Sequence, residues 1–382
     1  MEFMFQVQPT RRAFLMSAAA AASALGAKSE VSLERLPAGA LQPQILTGPD
    51  GRVHRVYFKG EPLAGDLWYE RPGSQPLQVN ACAGSAVATG SVRGAHVALG
   101  KNGQVHVAWN GSKNGEPKGP KGSPPMLYTR LTQAGTAFER ERNVIHSAYG
   151  LDGGGSVAAD GTGNVYVFWH APTSGDEGEA HRRVWVAHSS DGGMTFGAES
   201  IATREPTGAC GCCGMAAFAD SKGNVYALYR SASADVHRDM YLLVSSDRGQ
   251  TFRSTKVDEW EVGSCVMSTA AFTETADGVL AAWETKGQIR FARVDRGREV
   301  VAASAPGDAN GRKHPALSAG PGGAFLLAWT EGTGWKKGGN LAWQVYDRSG
   351  QPKGERGQAP GVLPFSFAAA YARRDGGFTI VY

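Results

Sequence analysis

Three cysteines fall within four residues, Cys210-Gly211-Cys212-Cys213, followed directly by Gly214 and Met215. Thiols this close have two ordinary fates: their thiolates ligate a soft metal together, or they oxidise to a strained disulfide. A second segment, Cys265-Val266-Met267, repeats the spacing of thiol and thioether in Cys213-Gly214-Met215. Residues two apart on a strand share a face, so each segment is expected to present both sulfurs on one side. Gly211 and Gly214 let the backbone fold tightly around an ion. Thiolate and thioether select Cu(I), and thiolate with imidazole also suits Zn(II). The expected site is therefore a copper(I) centre on Cys210, Cys212, Cys213 and Cys265, with Met215, Met267 or a histidine such as His314 as further ligands and zinc as the other ion. Two alternatives stay open. In an oxidising compartment Cys210 or Cys213 can pair with Cys265, or Cys212 with Cys213, although five cysteines leave one over. A thiol redox centre uses the same atoms.

These residues need a scaffold, and a short repeat supplies it. A turn, a glycine and alternating apolar residues ending in an aromatic recur at 51–57, 103–109, 163–169, 223–229, 278–283, 323–329 and 377–382. Their starts advance by 52, 60, 60, 55, 45 and 54 residues, the period of propeller blades, and no helical period competes. A small-residue strand such as Met215–Ala219 or Pro315–Ala319 precedes each copy and suits the crowded axis. The fold expected is an all-β propeller of four-stranded blades, seven by the repeat count, with six as the alternative. A strand near 31–36 is expected to complete the last blade and close the ring, which removes exposed sheet edges. Placed by the repeat, every cysteine falls in a segment leading into an innermost strand, all on one face. His314 enters there too, and His170, His181 and His237 overhang the same mouth from loops between second and third strands. Cys82 sits in a long loop. His54 and His106 read as packing groups, and Met126 and Met240 as gap-fillers.

Two turns, Ser189 to Phe196 (SSDGGMTF) and Ser245 to Phe252 (SSDRGQTF), match Ser-x-Asp-x-Gly-x-Thr-Phe. They resemble the Asp-box (BNR repeat) of sialidase-like propellers. In each, Asp191 or Asp247 is expected to accept backbone N–H bonds within the turn, and the phenylalanine to anchor it between sheets. The resemblance implies a sialidase-like glycosidase as one alternative function. Such an enzyme needs an arginine triad, a tyrosine–glutamate pair and an aspartic acid. The family's Arg-Ile-Pro motif is absent; Arg230, Arg290, Arg312, Tyr371 and Glu284 are the residues available, with no spacing that compels them.

Thr10-Arg11-Arg12-Ala13-Phe14-Leu15-Met16, followed by an Ala-rich stretch to Ala27, resembles a twin-arginine (Tat) leader. It implies a bacterial protein exported folded, to the periplasm or beyond, with a leader at 1–27 and one propeller domain at 31–382. No segment reaches the roughly 20 apolar residues of a membrane span. A net charge of +4 without a clustered basic run argues against nucleic acid. The Gly- and Lys-rich loops 110–125 and 330–339 offer a third function class, a disulfide-stabilised scaffold for a periplasmic protein partner.

Overall fold

The computed structural model describes residues 1, 30–173, 178–294, 300–308 and 311–382. The arginine pair and the Ala-rich stretch lie outside them. Seven sheets are arranged in chain order, as the repeat count predicts. Six have four antiparallel strands. In the seventh, Val31–Glu34 runs parallel to Phe378–Val381, with Val31 opposite Phe378. The expected closing strand thus forms, ending at Glu34, and Leu36 still donates its N–H to the Tyr382 carbonyl at 3.2 Å.

Blades 3 to 6 position the site. Blade 3 comprises Ser156–Ala159, Val165–Pro172, Arg182–Ser189 and Ser200–Ile201. Blade 4 comprises Ala216–Ala219, Val225–Arg230, Met240–Ser245 and Arg253–Asp258. Ala270–Thr275, Gly278–Thr285, Gln288–Val294 and Ala303–Ser304 make blade 5, and Arg312–Ala319, Phe325–Glu331, Gly339–Tyr346 and Pro352–Val362 make blade 6.

Alternation along each second strand sends successive side chains to the two neighbouring blades, so the core is a set of clusters between sheets. Tyr166 and Phe168 pack with Met215, Ala227 and Leu243, and Leu228 packs with Trp283. Trp109, Trp169, Trp283 and Trp329, the aromatics ending four repeat copies, are almost wholly buried. Truncating one to alanine costs about 3–5 kcal/mol. Alanines of the inner strands, among them Ala158, Ala217, Ala271 and Ala369, line an axial cavity of about 290 Å³.

At the rim opposite the cysteines the two Asp turns are self-contained. Asp191 accepts from the Thr195 N–H (2.9 Å), the Thr195 hydroxyl (2.6 Å) and the Ser189 hydroxyl (2.7 Å). Asp247 accepts the same three bonds from Thr251 and Ser245. Phe196 meets Tyr128 edge-on at 4.8 Å and Phe252 meets Phe168 at 5.7 Å, tying each turn to the preceding blade. Burial works against both carboxylates, yet the threonine and serine bonds outweigh it and hold them down at about 2.

Candidate metal centre

The residue after the aromatic is polar and buried in five successive blades: Asn110, His170, Arg230, Glu284 and Thr330. Each ends or nearly ends a second strand, on the rim where the segments leading into the inner strands lie. Those segments are stitched to one another. Met215 donates its N–H to the Gly154 carbonyl at 3.0 Å, and Gly214 donates to the Ser268 carbonyl at 2.9 Å. A Cβ at Gly154 would stand 1.6 Å from the Val92 carbonyl oxygen, so this crossing of backbones admits only glycine.

The thiol segment sits in the middle of that rim. Cys210 and Cys213 are buried and Cys212 is half-buried. The Sγ atoms of Cys210 and Cys212 are 3.3 Å apart, and all three Sγ atoms lie within 4.8 Å of one another. Three sulfurs bound at about 2.3 Å to one ion would be separated by about 3.8 Å in a tetrahedral site and about 4.0 Å in a trigonal one. Both values fall between the 3.3 Å pair and the 4.8 Å limit of the trio. Cys210 and Cys213 donate to Cys212, and the Met267 N–H adds a third bond against the opposing effect of burial, so Cys212 is held well below the ordinary thiol range. Cys210 is pushed up by its bonds to Cys212 and to Cys213 and by burial, and Cys213 chiefly by burial. The bonds thus favour ionisation at Cys212 and the neutral thiol at Cys210 and Cys213. Ionising the other two needs a cation among them.

Charged groups anchor this segment. Glu179 accepts the Gly211 N–H on its Oε1, accepts the Ala209 N–H on its backbone carbonyl at 3.0 Å, and pairs through Oε2 with Arg238. Cys210 donates its N–H to the Arg230 carbonyl at 2.9 Å. The Arg230 guanidinium bonds the carbonyls of Arg238 (2.8 Å) and Glu284. Asp152 pairs with Arg93 and Arg182. A Cβ at Gly211 would stand 2.2 Å from Arg182 Nη1, so the glycine between the cysteines makes room for the arginine.

Several buried polar atoms at this rim have no hydrogen-bond partner among the described residues: both ring nitrogens of His170, Nε and Nη1 of Arg182, Nε of Arg230 and of Arg238, and Oε2 of Glu284. Burial lowers His170 to about 4, with Arg182 adding to the effect, which keeps the imidazole neutral. Burial raises Glu284 to about 7 against the pull of Arg230 and Lys313.

The structure brings together Cys210, Cys212 and Cys213, and distributes the other expected ligands differently. Cys265 is exposed and lies outside the trio; its neighbour Val266 packs against Cys210 and Cys213 instead. Met215 packs in the core between blades 3 and 4. Met267 adopts a positive φ of 50° and offers Cys212 its backbone N–H. The reason is common to all three. The strands begin only at Ala216 and Ala270, so the two sulfur segments are irregular backbone to which strand alternation does not apply. His314 sits at a bulge in blade 6, buried, with Nδ1 3.4 Å from the Thr269 hydroxyl and its ring against Phe367. His181 and His237 are exposed, and the Cys82 thiol donates to the Asn114 carbonyl at 3.2 Å. The arginines a sialidase would need are engaged elsewhere: Arg312 on Glu331, Gln288 and the Pro306 carbonyl, and Arg290 on Ser304 and the Ala302 carbonyl. Glu179 and Arg238 carry no motif and escape a reading of the sequence. The polar residue after the aromatic recurs in the repeat copies from Trp109 to Trp329 and was visible there.

No family model and no curated protein matches this sequence at a significant level. Solved structures share its fold. A Dyadobacter fermentans protein of unknown function is 14% identical, with a TM-score of 0.52 over 87% of this chain and 97% of its own. Penicillium chrysogenum α-L-arabinanase is 12% identical, with a TM-score of 0.53 over 82% and 95%. The Hadza microbial sialidase Hz136 is 12% identical, with a TM-score of 0.50 over 84% and 74%. At these identities the likeness is one of fold: a seven-bladed propeller of the sialidase and arabinanase kind.

Proposed function

We propose that this protein binds a soft metal ion, Cu(I) above others, on Cys210, Cys212 and Cys213 at one mouth of the propeller, and that it serves copper handling in an exported, periplasmic setting by storage or delivery. The observation that carries the reading is the convergence of three sulfurs within 4.8 Å. Its electrostatics support it, because burial and mutual bonding push Cys210 and Cys213 up, and a cation among the sulfurs would offset that. Thiolates favour the softer, lower-valent ion. Protein purified after copper supplementation should carry about one copper per chain, lost in Cys212→Ser. Less than about a tenth of an equivalent of any metal, with disulfides among these cysteines detected by mass, would refute it.

The fold likeness to a sialidase and an arabinanase raises glycoside hydrolysis as a second reading. Fold alone does not carry activity, and the guanidinium groups of Arg230, Arg290 and Arg312 are occupied by partners within the blades. Turnover of a fluorogenic sialoside, abolished by Arg230→Ala or Arg312→Ala and untouched by cysteine substitution, would reverse this ranking.

A further inference from the structure

Equivalent positions in successive blades differ in one telling respect. Asn110, at the end of the second strand of blade 2, reaches the segment leading into blade 3, where its amide bonds the Gly153 carbonyl and accepts the Gly155 N–H at 2.9 Å. Arg230, one blade beyond His170, reaches the Glu284 carbonyl of blade 5. By the same register His170 reaches toward the segment leading into blade 4, which is the thiol segment. A Cβ placed on Gly153 would lie 2.6 Å from His170 Nε2, 2.7 Å from the Cys213 carbonyl oxygen and 3.0 Å from that of Gly211. The ring edge therefore runs along the backbone of the cysteines.

Unlike Asn110 and Arg230, His170 finds nothing there. It is 2% exposed, and neither ring nitrogen has a hydrogen-bond partner among the described residues. Other histidines of this propeller do have one: His54 and His106 meet tyrosine hydroxyls at 2.8 and 2.7 Å, His96 meets Ser156, and His188 meets Asn164. A buried imidazole with no partner among the described residues, beside three convergent thiols, has the chemistry of a metal ligand.

We propose that His170 is the fourth ligand of the ion held by Cys210, Cys212 and Cys213, making a three-sulfur, one-nitrogen centre. This rests on the metal reading above and deepens it. The His170 nitrogens lie outside the 4.8 Å group of sulfurs, so binding draws the imidazole and the Cys213 side chain together by side-chain rotation. Such a donor set takes a four-coordinate soft or borderline cation, Cu(I) or Zn(II). No electron changes hands: metal–ligand bonds form, and the thiol protons pass to solvent.

The test is X-ray absorption at the copper edge on the full-length protein loaded with Cu(I), with affinity measured against a chromophoric Cu(I) chelator. One imidazole should scatter at about 2.0–2.1 Å beside three sulfurs at about 2.3 Å. His170→Ala should lose the imidazole signal and weaken Cu(I) binding at least tenfold. Three sulfurs without imidazole in the wild type, or equal affinity in His170→Ala, overturns the fourth ligand and leaves the three-thiol reading standing. Absence of bound copper in the wild type refutes the reading itself. Should His170→Ala fail to fold, the wild-type spectrum alone decides.

Discussion

The two rims of blades 3 and 4 are built from the same strands and are opposites in chemistry. At one rim the Asp191 and Asp247 turns satisfy their polar atoms within a few residues, and the two copies match nearly bond for bond. At the other, the same blades present three thiols and, among the described residues, an imidazole without hydrogen-bond partners and guanidinium nitrogens without acceptors. Repetition with local satisfaction marks scaffold. Departure from the repeat, with polar atoms left over beside convergent thiols, is what the proposed metal site would draw on.

That contrast can be broken by substitution. The largest effect is expected for Cys212→Ser, which should weaken Cu(I) binding at least a hundredfold, since one of three thiolates is lost. Because Cys212 is half-buried, the metal-free protein should unfold within a few degrees of wild type in a thermal melt. Cys213→Ser should lose the metal as well and cost the metal-free fold about 1 kcal/mol, because Cys213 is buried against Val266 and Ala232. A second expectation concerns protons. With Cys212 ionised and Cys210 and Cys213 pushed up, loading one ion should release about two protons, so apparent affinity should fall about a hundredfold per pH unit lowered near neutrality. Proton release measured in weak buffer checks this; none released would contradict the picture of a single shared thiolate.

The opposite rim should respond in the converse way. Asp247→Ala removes hydrogen bonds from an exposed turn and should cost about 1–2 kcal/mol in denaturant unfolding while leaving copper affinity unchanged. The smallest effect is one of pH. Asp191 and Asp247 are held below their ordinary 3.8, so what they add to stability is present above that value and is lost as pH falls toward about 2. An acid melt of the double Asp→Asn variant should be flatter than wild type over that window. Equal slopes would show that these turns do not contribute.

How much of this was legible depended on whether the backbone was regular. Blade number, ring closure by the strand at 31–34 and the contents of the Asp turns follow from the glycine-to-aromatic repeat and from turn chemistry, both of which are local. The face on which the cysteines gather followed from the same register. Which sulfurs converge did not, because residues 210–215 and 265–269 precede their strands and obey no period. That is why Met215 turned into the core, Cys265 to the surface, and Met267 presented its N–H in place of its thioether. His170 was placed at the mouth from sequence. Its distinction from His181 and His237 appears only in burial and in the absence of partners.

A crystal of the copper-loaded protein, examined by anomalous scattering at the copper edge, tests the central claim most directly. The account predicts a single peak at about 2.3 Å from the Sγ atoms of Cys210, Cys212 and Cys213. A peak at any other place, or two of these sulfurs joined at about 2.05 Å with no copper beside them, would contradict it.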